Sequence, residues 1–205
     1  MTRPERVFAL AGILGVAGFV GAWSLSGAAR SGYSATDDAI SRLAQVGTPH
    51  RGWMTAGFVV FGLAIPLYAR ALRTVVAGPA WVAATVTGLS TVGVAAAPLG
   101  RADTAHYVFA LIGYVSLVGT PFLAARTFRA SGATIWAGWS VTAALGSAVF
   151  RSLSAIDRYH GLSQRVGLGF ADVWIVGTAW SMVWRGALGG GAVDGALGCV
   201  FETRH

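Results

Sequence analysis

The chain carries only eight acidic residues among 205, so where each falls is informative. Asp172 stands inside the apolar stretch Val166–Trp184, about six residues from its start, or roughly 9 Å along a helix rising 1.5 Å per residue. An ionisable residue at the centre of a span costs about 2.5–3.5 kcal/mol on insertion scales and usually faces a cavity or a partner. The structural expectation is an ion pair with Arg165, Arg151 or Arg101; the chemical one is a carboxyl in a binding or catalytic cavity. Asp37 and Asp38 precede Ala39-Ile-Ser-Arg-Leu-Ala-Gln-Val, where Ile40, Leu43 and Val46 recur at three-residue spacing. That pattern predicts a short amphipathic helix lying on or dipping into a membrane. One Asp suffices to cap it, which leaves a spare carboxylate. Arg101, Asp103 and His106 form a third group. Asp103 either caps the helix that follows, beside its positive end, or orients His106 while Arg101 receives an anion. His50 and His160 can titrate near neutral pH, although a loop histidine is ordinarily just solvated.

These residues need a frame, and composition names it. Hydrophobic residues make up 55% of the chain and charged ones 11%, against roughly 25% charged in soluble domains. Lipid is the solvent that such a chain fits. Six apolar segments, Val7–Ala29, Trp53–Leu72, Ala80–Gly100, His106–Ala125, Thr134–Leu153 and Val166–Trp184, each approach the length needed to cross about 30 Å of hydrocarbon. Backbone groups in lipid must be satisfied internally, so the segments are helices. The expected fold is all-α: a polytopic integral membrane bundle of about six transmembrane helices, with the short amphipathic helix in the first long loop. Residues 1–185 form one transmembrane domain, and 186–205 a Gly-rich tail expected to be flexible. Gly12, Gly15, Gly18, Gly57, Gly62, Gly88 and Gly93 are signals for close helix packing. Pro66, Pro98 and Pro121 kink or end helices.

Six crossings place both termini on one side. All 15 basic residues are arginine, eight on that side and seven on the other, so number alone does not orient the chain. The terminal side has arginines flanking span ends with few partners, which favours cytoplasmic termini in the cell membrane. The opposite side has three polar connections: about Arg30–Gly52, Arg101–His106 and Ser154–Arg165. They hold Asp37, Asp38, Asp103 and Asp157, with His50, His106 and His160. The candidate catalytic acids are therefore Asp38, Asp103 and Asp172. His50, Trp53, Arg101, His106, Tyr107, Gln164, Arg165 and Trp174 are candidate substrate contacts. Most tryptophans mark an interfacial belt; Trp53, Tyr107 and Trp174 could equally wall a cavity, and aromatic faces attract cations where water is excluded.

Other chemistries are absent. No Gly-rich phosphate loop, paired zinc ligands or Gly-x-Ser-x-Gly elbow occurs. No two histidines lie deep enough in spans to hold haem, and the single Cys199 has no partner for a disulfide. No metal or cofactor is expected. The net charge of +7 comes from arginines at span ends, without the basic runs interleaved with aromatics that nucleic acid would need.

Three stretches carry a family likeness: Asp38-Ala-Ile-Ser-Arg-Leu-Ala-Gln-Val-Gly, Pro98-Leu-Gly-Arg-Ala-Asp-Thr-Ala-His106, and Gly161-Leu-Ser-Gln-Arg-Val166. In these the chain resembles a bacterial and archaeal multi-pass membrane family catalogued as domain of unknown function 998. In general look it is similar to actinobacterial membrane-bound terpene cyclases of the drimentine-pathway type. These cyclise a prenyl chain on an indole-containing cyclodipeptide. That second resemblance implies a hydrophobic prenylated small molecule as partner, besides the bilayer, and a protonation-initiated cyclisation. A carboxylic acid would protonate an alkene or epoxide, aromatic faces would stabilise the cation, and a base would take the last proton. The Asp-x-Asp-Asp motif of soluble class II cyclases is missing; Thr36-Asp37-Asp38 offers only adjacent acids. A small lipid- or ion-handling transporter and a structural membrane subunit remain the alternatives.

Overall fold

The computed structural model describes residues 3–156 and 158–187. Asp157, Cys199 and the expected tail from 188 onward lie outside the described residues. Six helices follow in order: α1 (Arg3–Ala28), α2 (Arg51–Val75), α3 (Ala80–Ala96), α4 (Asp103–Ala130), α5 (Thr134–Leu153) and α6 (His160–Ala187). Four contain stretches long and apolar enough to cross a membrane: Pro4–Ala28, Arg51–Val75, Asp103–Ala130 and His160–Trp184. The apolar α3 has 17 residues, about 26 Å of helix. Short connections, residues 76–79 and 97–102, tie it to α2 and α4, so it runs back alongside both. By the same argument α5 returns between α4 and α6.

Each helix packs on the next in sequence, and α6 returns to α1, closing a ring. The ring's outer face is apolar: Leu14, Leu63, Leu111, Val115, Leu145 and Val173 are all exposed. In water such a surface would aggregate; in lipid it is solvated. Together with the helix lengths it defines an integral membrane protein. All seven glycines expected at helix contacts meet a neighbouring helix. A Cβ at Gly12 would strike Tyr68, at Gly15 Ala64, at Gly18 Val60, at Gly57 Ala22, at Gly62 Val92, at Gly88 Pro66 and at Gly93 Phe109. Pro66 and Pro121 lie inside α2 and α4 rather than at their ends, and the Pro66 ring fills the space that Gly88 leaves open. Two buried polar contacts pin α6 in place. Tyr68 and Thr178 hydroxyls meet at 2.6 Å, and Trp174 Nε1 donates to Ser140 Oγ at 2.8 Å.

One end of the ring is plugged. Between α1 and α2 the chain forms a single short 3-10 helix, Ile40–Ala44, whose Ile40, Leu43 and Ala44 are buried against α1, α2 and α6. It is shorter than the amphipathic pattern predicts, and it inserts into the bundle instead of lying in lipid. Val46 is left 41% exposed because the helix has already ended. Neither aspartate caps it. The capping position is Ala39, which makes no side-chain bond. Asp38 instead accepts from the Ser34 amide at 2.9 Å and from Arg42 Nη1 at 2.6 Å, while Asp37 accepts from Ser34 Oγ at 2.5 Å. Asp103 does not cap α4 either. It is the first residue of that helix, and its Oδ1 accepts from the Gly100 amide at 2.6 Å, tightening the turn before it.

Candidate functional site

Helix α6 begins at His160, earlier than the apolar run suggests, because its first polar residues find partners. Gln164 Oε1 accepts from the Ile40 amide at 2.9 Å, and its Nε2 donates to Tyr114 Oη at 2.8 Å. Arg165 Nη1 donates to the carbonyls of Ala35 at 2.7 Å, Asp38 at 3.0 Å and Gly161 at 2.8 Å. Its other terminal nitrogen donates to the Tyr33 hydroxyl, and its guanidinium lies 5.1 Å from the Trp23 ring centre. The first loop is thereby fastened to the start of α6. Asp172 accordingly lies 12 residues into a 28-residue helix, about 18 Å from its start at 1.5 Å per residue, near the middle of the span. The shorter depth expected from Val166 is corrected by those extra turns.

Gln164, Leu168 and Asp172 recur every four residues, so they share one face of α6. That face lines a cavity of about 60 Å³ at the centre of the ring, together with Phe58, Phe61, Phe109, Tyr114 and His106. A second, larger groove of about 580 Å³ runs along α6 on the side of α1 and α5, walled by Trp23, Trp139, Trp180 and Arg165. Ile40, Leu168 and Asp172 line both spaces. Asp172 therefore stands in the wall between an aromatic interior and a groove on the ring's lateral surface.

Asp172 is 6% exposed, and its carboxyl makes no hydrogen bond or ion pair among the described residues. Each expected arginine partner is occupied or remote. Both terminal nitrogens of Arg165 are engaged, by carbonyls and the Tyr33 hydroxyl, while its Nε is buried without a hydrogen-bond partner among the described residues; the Arg151 guanidinium sits 3.6 Å from the Tyr114 ring centre, and Arg101 is exposed at a turn. The expected ion pair is replaced by an unpartnered acid. On the cavity's other side His106, 2% exposed, places Nδ1 2.8 Å from the Ala97 carbonyl oxygen. A carbonyl only accepts, so Nδ1 carries the proton in the neutral ring and Nε2 is left as an acceptor. An acid and a base thus line one aromatic-walled space.

Of the candidate residues, the structure gathers Asp172, His106 and Gln164 around the cavity and Arg165 along the groove. Asp38 and Asp103 line neither. His50 is stacked on Trp53 at 4.7 Å between ring centres, and both are exposed, as are Arg101 and Tyr107. Trp174 is wholly buried and bonded to Ser140, so it packs α6 on α5 and walls neither space. In the docked loop, burial raises the Tyr33 hydroxyl pKa, with the Arg165 charge opposing it. Burial also works to raise Asp38, but the Ser34 amide and the Arg42 guanidinium outweigh it and hold that carboxyl below the usual carboxylate range. Among the described residues no cluster of three His, Cys, Asp or Glu side chains is placed to hold a metal ion. Tyr114, which the sequence reading did not single out, belongs to the site. Its signal was its phase: His106, Ala110, Gly113, Tyr114 and Leu117 lie on one helical face of α4, and all five line the cavity.

A closed ring of six apolar helices around an intramembrane acid defines a polytopic helical membrane protein. The sequence profile of the family described as Protein of unknown function (DUF998) matches residues 13–181, and the chain belongs to that family. No curated protein and no solved structure matches the chain.

Proposed function

We propose that the protein is an integral-membrane terpene cyclase that protonates a prenyl chain and lets it close into rings. The observation that carries this reading is the unpartnered Asp172 carboxyl in the wall shared by the aromatic cavity and the lateral groove. The groove, at about 580 Å³, falls in the range of sites for drug-sized ligands, roughly 300–1,000 Å³. The interior cavity, at about 60 Å³, does not. A prenylated molecule would lie along the groove among Trp23, Trp139 and Trp180 and present its alkene end to Asp172. Transfer of the carboxyl proton to the terminal alkene carbon leaves a tertiary cation. Internal double bonds attack it, forming carbon–carbon bonds, and loss of one proton restores neutrality. The net reaction is an isomerisation, so nothing else is consumed. Trp23, Trp139 and Trp180 offer aromatic faces to the passing charge, and the Asp172 carboxylate takes the last proton. In this reading both termini face the cytoplasm of the cell membrane.

The test is turnover of a farnesylated indole cyclodipeptide by protein reconstituted in nanodiscs in heavy water. A cyclised product bearing one new deuterium is expected. Asp172→Asn should lower the rate by about 10²–10⁴, the usual contribution of a general acid. Folded protein that leaves a broad panel of prenylated substrates unchanged would overturn the reading. A lipid-handling role is the second reading, favoured by the larger volume of the groove; it predicts binding without turnover that survives Asp172→Asn.

A further inference from the structure

A separate groove of about 520 Å³ lies between α4 and α5, at the end of the ring away from the 3-10 plug. Its apolar walls are Phe122, Ala125, Ala137, Gly138 and Val141, and its rim carries Arg126, Arg129 and Thr134. Three residues apart, the two arginines sit on neighbouring positions of one side of α4. Both are exposed. Arg126 lies 5.0 Å from the centre of the Phe122 ring, and among the described residues no acid pairs with either guanidinium. The Thr134 hydroxyl makes no hydrogen bond among them either. A Cβ added at Gly138 would have nothing within 4 Å, so the seam is open. Arg70 and Arg73, at the same end of the ring, differ: each covers an aromatic ring of a neighbouring helix, Phe8 and Trp81.

We propose that this groove is a binding site for one anionic glycerophospholipid. An apolar channel rimmed by two unpaired guanidiniums fits an amphiphile with an acyl tail and a negatively charged phosphate head. Arg126 and Arg129 take the phosphate, with the Thr134 hydroxyl as a further donor, and an acyl chain runs along Ala137, Gly138 and Val141. Arginine is suited to this because its planar fork meets two phosphate oxygens at once. Zwitterionic lipids share the tail but bring a cation beside the phosphate, which the two arginines repel. The site is independent of the Asp172 reading.

Native mass spectrometry of the detergent-solubilised full chain, titrated with phosphatidylglycerol or phosphatidylcholine, tests it. Wild type should retain one phosphatidylglycerol in clear preference to phosphatidylcholine. Arg126→Gln with Arg129→Gln should cut that retention by about thirty-fold, or about five-fold per arginine. Arg70→Gln with Arg73→Gln should leave it unchanged. Gly138→Leu keeps every charge, points into open space and fills the seam, so it should weaken retention as well. Equal retention of both lipids by wild type overturns the proposal. So does an unchanged Gly138→Leu, which would reduce the effect to surface charge. Displacement by soluble glycerol phosphate as effective as by lipid would overturn the lipid as occupant.

Discussion

Gln164 on α6 accepts the backbone N–H of Ile40 at 2.9 Å, joining two residues 124 positions apart and holding the plug in the mouth of the ring. The same side chain donates to Tyr114 on α4, so one buried amide fixes the plug, α6 and a cavity wall together. Gln164→Leu removes both bonds and leaves the Ile40 amide buried without an acceptor. The expected cost is about 1–3 kcal/mol. Thermal unfolding in detergent should show it, and the Ile40 amide should exchange hydrogen faster. Gln164→Glu keeps the acceptor but loses the donation to Tyr114, and should fall between the two.

Asp172 should be a liability to the fold. A carboxyl at mid-span without a partner costs stability, and the cost is tolerated where the group has work to do. Asp172→Leu is therefore expected to raise stability by about 1–3 kcal/mol and, on the proposed cyclase reading, to abolish turnover. A drop in melting temperature would show that the carboxyl has a structural partner after all.

The crossing of α2 and α3 should tolerate no added methyl. A Cβ at Gly88 would lie 2.8 Å from the Gly62 carbonyl oxygen and close against the Pro66 ring. Gly88→Ala should cost about 1–3 kcal/mol, the usual penalty for overpacking. Gly21 in α1 is the internal control, because a Cβ there meets nothing within 4 Å. Gly21→Ala should be neutral or stabilising by up to about 1 kcal/mol through helix propensity. Denaturation of the two variants side by side separates packing from propensity.

The first loop should loosen in acid. Asp38 has its folded pKa held below the value of about 3.9 expected in an unfolded chain. Its contribution is complete above that value and disappears as pH falls through the lower folded one. Hydrogen exchange at Ile40 and Leu43 should accelerate over that acid window. Asp38→Asn, lacking the ion pair to Arg42, should show the faster exchange already at neutral pH, with the acid-dependent step gone.

The six helices were legible because lipid imposes two strong constraints, apolar length and internally satisfied backbone. The glycine contacts followed from the same logic. The start of α6 was harder to see. Ser163, Gln164 and Arg165 read as loop residues, yet Gln164 accepts from and Arg165 donates to a segment more than 120 residues away in sequence, which periodicity along one helix does not reveal. That misplacement made Asp172 look shallow. Trp174 reads as a possible cavity wall because it lies near the polar face, only two residues from Asp172. Two positions on, it lies on a different side of α6 and meets Ser140. The cavity itself depends on the closure of α6 onto α1, a contact between the two ends of the ring for which no local pattern exists.

That closure has a mechanical consequence. Five of the ring's six seams join helices consecutive in sequence and are bridged by a connecting segment; the seam between α1 and α6 is held by side-chain packing and the docked first loop alone. The lateral groove lies along it. A door whose leaves share no covalent hinge can part sideways into the bilayer without stretching any connection, so a bulky molecule dissolved in lipid could reach Asp172 without first passing through water.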